Sequence, residues 1–152
     1  MGDEGVERLH SACLAAVERC AVKELDGIAP DTFAELGEAL FWLIALAEAR
    51  GRHKKTALLR GLGWARDRIA HGVLLTAPQE WHYGTELGKW VLGKGKLGTR
   101  SEYRWLSPNE VDPKRTQKGD QTVGETAYDD HLAGRAVIEV LREGVAEAMA
   151  TR

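Results

Sequence analysis

The chain has little cysteine, little proline and no long apolar run, and each shortage removes a class of protein. Two cysteines in 152 residues, Cys13 and Cys20, rule out a disulfide-stapled scaffold. Their seven-residue spacing in a helical pattern sets the Cα atoms roughly 10 Å apart by helical rise, too far for a disulfide. Both read as small core residues in a reducing compartment. No Cys-x-x-Cys or His-x-x-x-His pair occurs, so neither a metal site nor a cofactor is expected. Only four prolines interrupt the chain, which suits a helix-rich fold. The longest apolar stretch, Ala39 to Ala47, is far too short to span a bilayer. The acidic start Met1-Gly2-Asp3-Glu4 has neither the positive nor the apolar region of a signal peptide. A cytoplasmic protein without membrane contact is the expectation.

What is present is ordinary in amount and uneven in place. With 43% hydrophobic and 29% charged residues, residues 1–152 are expected to form one domain with a core of its own. The net charge of −2 divides into −6 over residues 1–50, +8 over 51–118 and −4 over 119–152. A basic middle between acidic flanks fits either a polyanion-binding surface or lysines on solvated loops.

Apolar periodicity predicts a first helix from about Asp3 to Glu24, on Val6, Leu9, Cys13, Ala16, Val17 and Cys20, broken by Gly27 and Pro30. A second starts at Thr32, where Thr32 and Glu35 have capping-box spacing, and stops at Gly51. Its centre, Ala39 to Ala45, is apolar nearly all round and reads as a buried helix. The third, from about Lys54 to His71, carries a core stripe of Leu58, Leu62, Ala65 and Ile69. Opposite that stripe lie Arg60, Trp64, Asp67 and His71, and an aromatic on such a face points to an interface. Residues 73–121 read as an irregular or partly β insertion. In it are a short helix from Pro78 to Leu92, a turn at Gly93-Lys94-Gly95, a strand-like Ser101 to Leu106 and a polar loop from Pro108 to Asp120. A last helix is predicted from Val123 to Ala150, with Thr122 and Glu125 as a second capping box. The fold class is therefore all-α, a bundle of four to five helices.

The chemistry concentrates in Arg66-Asp67-Arg68-Ile69-Ala70-His71-Gly72. An arginine and a histidine with a carboxylate between them can bind a phosphate and move a proton. The run Gly61-Leu62-x-x-Ala65-Arg66-Asp67-Arg68-Ile69-Ala70-His71-Gly72, following a Phe-Trp-containing buried helix, resembles HEPN domains. These are small helical bundles with a signature of arginine, a polar residue, a short spacer and histidine. Trp105-Leu106-Ser107-Pro108 and Tyr128-x-x-His131-Leu132-Ala133-Gly134-Arg135 extend the likeness over most of the chain. Asn commonly follows the arginine in that family, and Asp67 stands there in this one.

The resemblance implies a metal-independent endoribonuclease, a toxin or defence effector, whose site forms where two protomers pair their motif helices. It leaves 2′,3′-cyclic phosphate ends. In that scheme His71 exchanges the proton, Asp67 orients the imidazole and Arg66 grips the scissile phosphate, while Arg60, Trp64 and Arg68 help to bind RNA. An antitoxin or a nucleotidyltransferase-like protein is a possible partner. Arg66 and His71 are 140° apart on an ideal helix, so one phosphate would be gripped by both only across two subunits or at a distorted helix end. The alternatives are a non-catalytic module binding RNA, nucleotide or protein, and a purely structural homodimer. For the motif residues these mean a mixed-charge helix face and, for His71 before Gly72, a helix C-cap.

Trp81, Tyr83, Trp90, Tyr103 and Trp105, interleaved with Lys89, Lys94, Lys96, Arg100 and Arg104, could stack on single-stranded RNA. Packing is favoured for Trp42 and Trp105. His10, His53, His82 and His131 lack ligand spacing and read as surface or packing residues. Gly134 and Gly144 read as close contacts inside the last helix.

Overall fold

A computed structural model of the chain describes residues 3–25, 32–81, 100–111 and 122–150. Helix α1 runs Asp3–Leu25. A π-helical turn over Thr32–Leu36 leads directly into α2, Gly37–Ala49. Helix α3 is Ala57–Ala70. Strands β1 (Thr76–Trp81) and β2 (Arg100–Trp105) precede a short α4 (Pro108–Val111), then α5 (Val123–His131) and α6 (Val137–Met149). The result is a helical bundle with one small sheet, as periodicity predicts. Among the described residues no helix is long and apolar enough to cross a membrane.

Helix α2 lies at the centre and packs against α1, α3 and α6. Ala39, Leu40, Leu43, Ile44, Leu46 and Ala47 are buried. Its all-round apolar character is not all used, since Phe41 is 56% exposed and lies edge-on to the half-buried Trp42. Cys13 and Cys20 are fully buried in the core and form no disulfide, and burial pushes the Cys13 thiol up to about 12. Trp105 is fully buried too, meeting Tyr128 edge-on at 6.1 Å, which makes it a packing residue.

Three expectations need correction. Pro78 does not open a helix. It sits in β1, paired with Tyr103 in an antiparallel ladder from Thr76↔Trp105 to Trp81↔Arg100. A two-stranded sheet has only edge strands, where proline's missing donor is tolerated. Second, Pro108 begins α4 rather than a loop. Ser107 and Glu110 form a capping box, with the Ser107 amide donating to the Glu110 carboxylate at 2.8 Å, and Pro108 takes the first helical position.

Third, the last helix is two. Gly134 adopts φ +77° and ends α5, and its amide donates to the Trp105 carbonyl at 2.8 Å. The break folds α5 back over α3. Gly61 makes that crossing possible, because a Cβ there would lie 3.0 Å from the backbone of Ala127. Gly144 is a close contact as expected, facing Leu43 and Leu62. The Gly27 and Pro30 break, the Gly93–Gly95 turn and the aromatic residues Tyr83 and Trp90 lie outside the described residues.

Candidate functional site

Thr56 sets the start of α3, its hydroxyl accepting from the Leu59 amide at 3.2 Å and also meeting the Glu147 carboxylate. From that cap the helix buries Leu58, Leu59, Leu62, Ala65 and Ile69. This rotation turns Arg66, Asp67, Ala70 and His71 away from the core, with Asp67 and His71 exposed. The helix ends at His71, which caps it with a pair of bonds. Gly72 at φ +79° donates to the Ile69 carbonyl at 2.9 Å and Val73 to that of Arg68 at 3.0 Å. This is the Schellman arrangement, for which a residue in the left-handed region is required. His71 is thus both the motif histidine and a helix C-cap.

Arg66 sits between two carboxylates. Its Nε and Nη2 donate to Asp67 Oδ1 at 3.0 and 2.8 Å, and its Nη1 lies 3.7 Å from Glu48 Oε1 on α2. Asp67 is therefore engaged by Arg66, and the structure holds no Asp67 to His71 bond. Arg68 lies over the Trp64 ring at 4.9 Å.

Trp64 is not the exposed aromatic that its place opposite the core stripe predicts. Its ring packs on Tyr128 of α5 at 4.6 Å, and a Cβ at Gly124 would lie only 3.4 Å from the ring's Cδ1. The physical reason is α5, which covers this face within the same chain. With Tyr128 and Arg68 both against its ring, Trp64 is a half-buried packing residue.

A cleft of about 510 Å³ opens between the end of α2, the 51–56 turn, α3 and the start of α5. It gathers Arg60, Trp64, Arg66 and Asp67, four of the expected site residues, while Arg68 and His71 are not among its walls. Glu48, His53, Lys54, Thr122 and Gly124 complete its polar lining. No periodicity points to these five, since Glu48 and Thr122 meet α3 only through tertiary packing. Arg60 donates from Nη1 to the Lys54 carbonyl at 3.0 Å, which ties the turn to the helix. No protein-family model, curated protein or solved structure matches the chain.

Proposed function

We propose that this chain is a metal-independent endoribonuclease of the HEPN type, acting as a homodimer in the cytoplasm as a toxin or defence effector. The observation that supports it is the uncovered C-terminal turn of α3. Asp67, Arg68, Ala70, His71 and Gly72 are all exposed, followed by Leu74 at 54% exposure. The rest of α3 is packed between its neighbours. A polar, histidine-bearing turn beside an exposed leucine is suited to meet a second copy and an RNA strand together.

In this reading the 2′-oxygen of the RNA attacks the adjacent phosphorus as His71 takes its proton. A bond forms from the 2′-oxygen to phosphorus, the bond from phosphorus to the 5′-oxygen breaks, and that oxygen takes a proton from water as it leaves, His71 returning its own proton to the solvent. Arg66 offsets the charge gathered on the non-bridging oxygens. Asp67 acts by holding Arg66 in place rather than by orienting His71. Because Arg66 points into the cleft and His71 caps the helix end, the arginine of one copy serves the histidine of its partner.

Cleavage of mixed cellular RNA in excess EDTA tests this, with Arg66→Ala and His71→Ala prepared alongside. Loss of cutting in both variants is expected. An inert wild type, or variants that cut equally well, overturns it. One observation favours a second reading, RNA binding without cleavage: Arg66 is already paired with Glu48 and Asp67. In that case RNA is retained by the wild type and is never shortened.

A further inference from the structure

Phe41 lies near the middle of α2, the helix at the centre of the bundle, and is nevertheless 56% exposed. Trp42 meets its ring edge-on at 5.2 Å and is itself held by a bond from its Nε1 to Glu38 Oε1 at 3.4 Å. An exposed aromatic pair is the kind of surface in which protein interfaces are enriched.

Glu38, Phe41, Ala45 and Glu48 share one face of α2, within roughly 80° at 3.6 residues per turn. The two acids and Phe41 are exposed, and Ala45 is half-buried. Along this face the order reads the same from either end in spacing: an acid, an aromatic three residues on, a small residue four further, and an acid three beyond that. Each acid also brings a cation from a neighbouring helix. Arg19 Nη2 of α1 lies 2.7 Å from Glu38 Oε1, and Arg66 Nη1 of α3 lies 3.7 Å from Glu48 Oε1. The face is therefore apolar at its centre and charge-balanced at both ends.

Such a face is its own complement. A two-fold axis through the midpoint between positions 41 and 45 runs a second α2 antiparallel to the first and sets Phe41 of each copy level with Ala45 of the other. The small Ala45 side chain leaves room for the ring. At each end Glu38 with Arg19 comes level with Glu48 and Arg66 of the other copy, so two carboxylates meet two cations and no net charge is trapped.

We infer that α2 is a self-association face, along which two copies of this chain pair antiparallel with Phe41 seated on Ala45 and the two acid-base pairs closing the ends. A different protein docking here would not need an order that reads alike in both directions. The inference gives the homodimer of the proposed reading a seam, and it needs no cleavage. Arg66 also lines the cleft, so a second copy on α2 borders the arginine used in the proposed reaction.

Sedimentation velocity of the full chain over a concentration series tests it, with Phe41→Glu alongside. The wild type is expected to dimerise, and Phe41→Glu to raise the Kd at least about tenfold. Because Phe41 is exposed, the variant is expected to keep wild-type helicity by circular dichroism. Glu38→Cys and Glu48→Cys locate the seam independently of that variant. Position 38 of one copy is level with 48 of the other, whereas 38 and 38, or 48 and 48, are ten residues apart along the helices, roughly 15 Å by helical rise. A short bis-maleimide is expected to link copies in a mixture of the two variants and in neither alone, since Cys13 and Cys20 are buried. Failure to link the mixture, or equal linking of either variant alone, overturns the inference. So does a folded Phe41→Glu that dimerises as tightly as the wild type, or a wild type that stays monomeric. A wild type that pairs along α2 and leaves RNA intact overturns the ribonuclease reading alone.

Discussion

At Arg66 the competition is between carboxylate and phosphate. The Glu48 contact, at 3.7 Å with a half-exposed glutamate, is of a kind worth about 0–1 kcal/mol. A charge-assisted bond to phosphate contributes about 1.5–3 kcal/mol. On the proposed reading, an RNA phosphate would therefore displace Glu48 from the guanidinium at little cost. Glu48→Gln removes this competitor and one repelling charge, so RNA affinity is expected to rise about two- to fivefold with the fold unchanged. Filter binding across a series of salt concentrations measures it, and the gain shrinks as salt screens the charge. An affinity that is unchanged or lower would show that Glu48 does not compete for Arg66.

Helix packing carries the next two expectations. Where α3 crosses α5, Gly61→Ala would drive a methyl against the Ala127 backbone at 3.0 Å and Leu132 Cδ1 at 2.9 Å. Overpacking of about 1–3 kcal/mol exceeds the ~1 kcal/mol that alanine gains in a helix, so the melting temperature falls by roughly 2–4 °C per kcal/mol lost. Two residues on, Gly63 has only Ile44 Cδ1 at 4.0 Å, and Gly63→Ala should hold or raise it. Thermal melts of the pair check the crossing, and the opposite order would refute it. At the end of the sheet, Arg104 and the capping bonds from Ser107 lower the Glu110 carboxyl from 4.5 to about 2. The ionised form therefore stabilises the fold above about 4.5, and that contribution is lost as pH falls through about 2. Glu110→Gln should melt below the wild type near neutral pH, with the gap closing across this window. A gap independent of pH would show that the charge does not matter. The limits of what the sequence reveals lie at the same elements. Helix ends written in local chemistry, such as Gly51, Gly72 and the Thr122 cap, were legible. The Gly134 break was not, because a glycine inside an apolar pattern fits a close contact equally well. Missing it hid α5 from α3, and with it the burial of Trp64 and the cleft that α5 helps to wall. The motif was legible as a run of residues, but Glu48 and Lys54 join it only through packing.

For the molecule as a whole, the decisive matter is whether one copy can hold a complete site. The +8 middle of the chain, residues 51–118, contains α3 and gives a polyanion a reason to approach it. Yet Arg66 faces the cleft beside Glu48 while His71 caps the helix outside it. In the proposed reading a two-fold dimer would solve this by pairing each arginine with the other copy's histidine. The arrangement has a consequence that no single-copy site shares. In a heterodimer of Arg66→Ala and His71→Ala, one composite site loses both groups and the other keeps both. Mixing the two inactive variants and allowing them to exchange should therefore restore cleavage. With random pairing half of the dimers are mixed and each carries one intact site of two, so activity returns to about a quarter of wild type. The rate of RNA cleavage before and after exchange measures this. If both variants are inactive alone and stay inactive when mixed, despite subunit exchange shown by a tagged copy, Arg66 and His71 act within one chain. The end of α3 would then have to unwind past its Gly72 cap to bring them together.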